Sequence, residues 1–90
     1  MSKLGAAVVG LGVGRRHVEA YAALPESELV AVCDTNRERL DPVVEQYGIP
    51  GYTDVDELLR DDRIQVISVA TPHPSHAPIA IAALESGRHV

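Results

Sequence analysis

Gly10, Gly12 and Gly14 stand at alternate positions directly after the apolar run Leu4–Val9. Glycines at this place suit an anion. Gly10 lets the chain turn sharply out of a strand, and Gly12 lets the backbone approach a pyrophosphate with no side chain in the way. Leu11 and Val13 lie between them and contribute their backbone to the same loop. A helix starting here adds free N–H groups and the positive end of its dipole. The common spacing puts the third glycine one residue later, where Arg15 stands, so the loop alone also fits an ordinary glycine-rich turn.

Asp34 narrows the choice. It ends a second apolar run about 20 residues beyond the loop, where a carboxylate accepts both hydroxyls of an adenosine ribose. The same charge repels a 2′-phosphate, which favours NAD over NADP. Arg37 offers a phosphate partner that would soften this preference, so NADP stays open. A helix-capping role for Asp34, beside Thr35 and Asn36, is the competing reading. With loop, strand and spacing together we expect a nicotinamide dinucleotide, with Thr35 at the same strand end.

A third segment, Ala70-Thr71-Pro72-His73-Pro74-Ser75-His76, follows a further apolar run. Ligands of open α/β sheets lie beyond the carboxyl ends of the strands, and two prolines stiffen this loop so that its backbone lines the cofactor. His73 and His76 are three apart, but no Cys, Asp or Glu stands close enough in sequence to complete a metal site, and none is expected. His17 reads as a packing or capping residue, Cys33 as a small buried hydrophobe, and Asp61-Asp62 as a solvated turn. Arg15 and Arg16 add positive charge near the loop. No catalytic residue is assigned.

The elements that must position these residues alternate. Strands are expected at 4–9, 29–33, 49–52 and 64–70, the last broken by polar Gln65 and Ser68, with His89-Val90 opening a fifth. The first helix, 15–24, turns Val18, Tyr21, Ala22 and Leu24 inward and stops at Pro25. Thr35 and Glu38 have capping-box spacing for the second. Pro42 is expected to break it, with a restart capped by Asp41 and an end at Gly48. Thr53 caps a short third helix carrying Val55, Leu58 and Leu59. Ser75 caps the last, with Pro78 in its first turn, Ala77, Ile81 and Leu84 inward, and Gly87 at its end. The fold class is α/β: a partial Rossmann-type parallel sheet of four strands plus the start of a fifth, with helices on both faces.

Composition agrees. The 90 residues are 46% hydrophobic with a net charge of −5, which describes a soluble globular domain. No basic stripe is present to bind nucleic acid, no apolar stretch reaches membrane-spanning length, and a single cysteine suits the reducing cytoplasm.

Three segments resemble one family: Val9-Gly10-Leu11-Gly12 with His17; Val32-Cys33-Asp34 with Glu38-Arg39; and Thr71-Pro72 through His76, Ala82-Ala83-Leu84, Gly87 and His89-Val90. Together they are similar to the N-terminal part of the Gfo/Idh/MocA oxidoreductases, over essentially the whole chain. The resemblance implies an NAD(P)-dependent dehydrogenase acting on a sugar, polyol or similar small molecule. It implies that Gly10, Leu11, Gly12, Val13 and Gly14 bind pyrophosphate, that Asp34 binds the ribose, and that Thr71, Pro72 and His76 run toward the nicotinamide. His73 replaces a common asparagine, and Pro42 interrupts a helix that is usually continuous. The family's Glu-Lys-Pro motif and β-rich substrate domain are absent from these residues. We therefore expect residues 1–90 to be the N-terminal part of a dinucleotide-binding domain, binding cofactor without turnover. A homo-oligomer paired through an exposed sheet edge is expected too, and the alternative is a stand-alone binding or dimerisation module with no enzymatic role.

Overall fold

In a computed structural model of the chain, residues 4–12, 14–24, 27–70 and 73–90 are described, those at 73–77 by backbone alone. The elements run β1 (Leu4–Val9), α1 (Arg15–Ala23), β2 (Ser27–Cys33), α2 (Arg37–Tyr47), β3 (Gly51–Tyr52), α3 (Val55–Leu58), β4 (Val66–Val69) and α4 (His73–Glu85). The strands form one parallel sheet in the order β3-β2-β1-β4. β1 is therefore central, buried at every position after Leu4, as its unbroken apolar run requires. His89 forms a parallel bridge with Val66, so the chain opens a fifth strand beside β4 as expected.

Each face of the sheet carries its own core. Val18 of α1 with Leu40 and Val43 of α2 packs on Val8, Leu29 and Val32. Leu58 of α3 and Ala83 of α4 pack on Ala7, Val9, Val30 and Ile67 opposite. A bulge at Val30 sets the phase: Ala6 pairs with Leu29 but Ala7 pairs with Ala31. Without that extra residue every side chain after it would change faces. The two polar residues of the fourth apolar run have partners. Gly5 N–H donates to Gln65 Oε1 (3.0 Å), and Ser68 Oγ lies 2.7 Å from the Tyr21 hydroxyl, tying α1 to β4.

Several local expectations are corrected. Asn36, not Thr35, caps α2, accepting the Glu38 N–H. Asp54, not Thr53, caps α3 in the same way through Asp56 N–H. Each true cap is one residue later because Asn36 and Asp54, with extended backbone, stand directly before the first helical residue.

α2 passes through Pro42 unbroken. Proline deprives only the exposed Glu38 carbonyl of its helical partner, while buried Leu40 and Val43 hold the helix on the sheet from both sides. α4 starts at His73, so Ser75 is its third residue and Pro78 lies in its second turn. Among its described side chains Ile79 and Ala83 face inward, while Ile81 and Leu84 are 53% and 59% exposed; Ala77, expected inward, lies outside them. The second half of α4 is apolar nearly all round, so packing rather than pattern selects the face, and the small Ala83 side chain permits close approach to β4. Ala22 and Leu24 are also exposed, leaving Val18 and Tyr21 as the inward face of α1. The expected stop at Pro25 lies outside the described residues. Gly48 and Gly87, both at positive φ (64° and 87°), end α2 and α4 as expected.

Candidate functional site

The carboxyl ends of β1, β2 and β3, with Ala70 just past β4, surround a cleft of about 960 Å³. In the order β3-β2-β1-β4 the sequence of strand addition switches sides at β1, and the crevice at such a switch is where open α/β sheets bind ligands. Gly10, Gly12, Asp34, Thr35 and Ala70, all expected site residues, line it.

The loop out of β1 is built on its glycines. Gly10 adopts φ 92°, a conformation side chains resist, and its N–H donates to the Cys33 carbonyl at 2.8 Å. Gly12 is exposed in the cleft, and a Cβ there would stand 3.5 Å from Arg39 Nη1, filling the gap between loop and guanidinium. Gly14 lies at the N-cap of α1, where a Cβ would fall on the Gly10 carbonyl and press on Val8. The third glycine thus serves close helix–strand packing although it stands one position early. α1 opens with no side-chain cap and no acidic residue in its first turn, so its positive end is uncompensated. These features fit a pyrophosphate.

Leu11 departs from expectation. Its side chain is fully buried in the core with Val8 and Val18, and its N–H donates to Asp34 Oδ2 at 2.8 Å. Asp34 is itself 7% exposed, and its Oδ1 accepts the Asn36 N–H at 2.8 Å. It turns the chain toward α2, but the cap is Asn36. Val13, Thr71 and Pro72 lie outside the described residues. His73 and His76 lie in the first turn of α4, with side chains outside those described. Among the described residues no three His, Cys, Asp or Glu side chains converge as a metal site. His17, Arg15 and Arg16 are exposed.

The cation expected beside Asp34 is a different residue. Arg37 pairs with Asp41 at 3.8 Å on the exposed side of α2. Arg39 lines the cleft instead, its Nη1 3.7 Å from Asp34 Oδ2. It entered the sequence reading only as part of a motif; one helical turn from the cap at Asn36, it projects back toward the loop. Thr53, Asp54, Val55 and Ile79 also line the cleft. The rule that strand ends face the ligand would have found Thr53 and Asp54, which directly follow β3. Cys33 lies at the base, its thiol pushed up to about 12 first by burial and then by the carboxylates of Asp34, Asp54 and Glu57. It is protonated at neutral pH and no nucleophile.

Comparison with known proteins gives the same picture. The model of the GFO_IDH_MocA group, described as an oxidoreductase family with an NAD-binding Rossmann fold, matches residues 4–90. An inositol 2-dehydrogenase of Rubrobacter xylanophilus is 33% identical over 90 residues, covering 98% of this chain and 26% of that protein. An alpha-N-acetylgalactosaminidase of Shewanella oneidensis is 40% identical over 92 residues, covering 88% and 20%. The crystal structure of GenD2 from gentamicin A biosynthesis, in complex with NAD, superposes with a TM-score of 0.92 at 36% identity, over 98% of this chain and 26% of that one. The chain thus spans a fifth to a quarter of the length of these relatives.

Proposed function

This chain belongs to the Gfo/Idh/MocA oxidoreductase family, with its NAD-binding Rossmann fold, and from that premise we propose how its cleft holds the cofactor and what the cofactor serves. Gly10, Gly12, Val13 and Gly14, with the start of α1, take the pyrophosphate. Asp34 accepts the adenosine ribose hydroxyls, with Thr35 beside it. Ala70, Thr71, Pro72, His73 and His76 run along the cofactor toward the nicotinamide. When bound, the nicotinamide supplies hydride transfer. The observation that carries this reading is the meeting of the glycine loop and the Asp34 carboxylate in one cleft.

NAD is favoured over NADP because Asp34 repels a 2′-phosphate, and Arg39, the one cation among the described cleft-lining residues, moderates the difference. The substrate is a sugar, polyol or similar small molecule, a reading supported by one relative named for inositol and another for an N-acetylgalactosaminide. Since those relatives are several times longer, we assign residues 1–90 to the N-terminal part of the cofactor domain and the substrate pocket to residues outside it. The outer edge of β4, bridged only at Val66 among the described residues, favours pairing with a second copy. The single free cysteine suits the cytoplasm.

Calorimetric titration of the full chain with NAD and NADP tests the site. Heat with NAD and weaker binding of NADP are expected, with Arg39→Ala widening the gap by weakening NADP. Absence of heat with NAD would overturn the assignment. Sedimentation of the chain as a monomer at high concentration would overturn the edge pairing.

A further inference from the structure

We propose that Asp34 is a positioning residue for the phosphate loop, in addition to its place as ribose ligand; the inference rests on the dinucleotide reading of the cleft. Two consecutive loop N–H groups are tied to the end of β2. Gly10 N–H reaches the Cys33 carbonyl and Leu11 N–H reaches Asp34 Oδ2, each at 2.8 Å. The Leu11 side chain is locked in the core immediately beyond, so its N–H cannot turn outward to water. The carboxylate is fixed in turn. Asn36 N–H holds Oδ1, and the Asp34 N–H donates to the Tyr52 carbonyl at 3.1 Å. Arg39 stands at 3.7 Å from the same Oδ2.

One buried carboxylate therefore spans from β2 to the turn out of β1, setting the loop before any ligand arrives. Each carboxylate oxygen accepts more than one hydrogen bond, so holding Leu11 and receiving a ribose hydroxyl are compatible. It follows that replacing Asp34 to admit a 2′-phosphate weakens pyrophosphate binding as well.

Amide hydrogen exchange of the ligand-free full chain tests this directly. In Asp34→Ala the Leu11 amide should exchange roughly tenfold faster or more relative to Val32, the loss expected for a hydrogen bond to a charged acceptor. Asp34→Asn keeps one acceptor oxygen and should fall between; it also serves if the alanine variant does not fold. An unchanged Leu11 rate relative to Val32 would overturn the proposal.

Binding supplies a second test, with ADP-ribose and its 2′,3′-dideoxyadenosine counterpart as probes. The Asp34 variants should lose affinity for both. A loss confined to the ligand that carries the hydroxyls would overturn the positioning role while leaving the ribose role intact. A wild-type chain that binds neither probe counts against the dinucleotide site itself, and the exchange rates still decide the clamp.

Discussion

Cys33 closes β2 with its sulfur buried under the cleft and three carboxylates around it. Its proton is held to about 12 in the folded chain, against 9.0 when exposed. Between those values the unfolded chain releases the proton and the folded chain keeps it. Stability contributed by the neutral thiol is thus complete below pH 9 and lost as pH rises, at roughly 1.4 kcal/mol per unit. Urea melts of the wild type and Cys33→Ala from pH 8 to 11 should show that the variant lacks this part of the alkaline decline. Gly14 is a second residue whose role is set by contact. Gly14→Ala puts a methyl group against the Gly10 carbonyl, with an expected cost of about 1–3 kcal/mol and weaker NAD binding, read by thermal melting and calorimetry.

At the scale of elements, α2 is the one whose sequence and structure disagree most. A proline stands inside it, yet it runs eleven residues without a break. Pro42 is exposed and outside both core clusters, so Pro42→Ala restores a helical hydrogen bond to Glu38. A gain of about 1–3 kcal/mol is expected from urea denaturation. Asn36→Ala acts oppositely, removing the cap that accepts Glu38 N–H, and should cost about 1 kcal/mol; Thr35→Ala should cost less, because its side chain is not the cap. The same helix brings Arg39 to the cleft and turns Arg37 to Asp41, a division that follows from where the helix begins.

At the scale of the molecule, the sheet is shared between two cores, so neither face can melt alone. Leu40 closes one side and Leu58 the other, both essentially fully buried. Leu40→Ala and Leu58→Ala should each cost about 2–5 kcal/mol, each within one cooperative transition. A chain of this size holds roughly 5–10 kcal/mol in all, so the double variant should show no transition. Two separate transitions in either single variant would mean the faces fold independently.

The order of strands and helices, the parallel sheet with helices on both faces, and the meeting of Gly10, Gly12 and Asp34 at the strand ends are all legible in the residues. Local patterns sufficed there: unbroken apolar runs leave a strand only the interior of a sheet, and the glycine loop and carboxylate are placed by the strands they terminate. Tertiary structure decided what those patterns leave degenerate. Thr35 and Asn36 are both able to cap, and the start of α2 at Arg37 chose the second. The end of α4 is apolar on every side, and contact with β4 chose Ile79 and Ala83 over Ile81 and Leu84. Arg37 and Arg39 are chemically alike, and one helix start sent only the second to the cleft. The bond from Leu11 to Asp34 spans 23 residues, and no local pattern encodes it, because it exists only once β1 and β2 lie side by side.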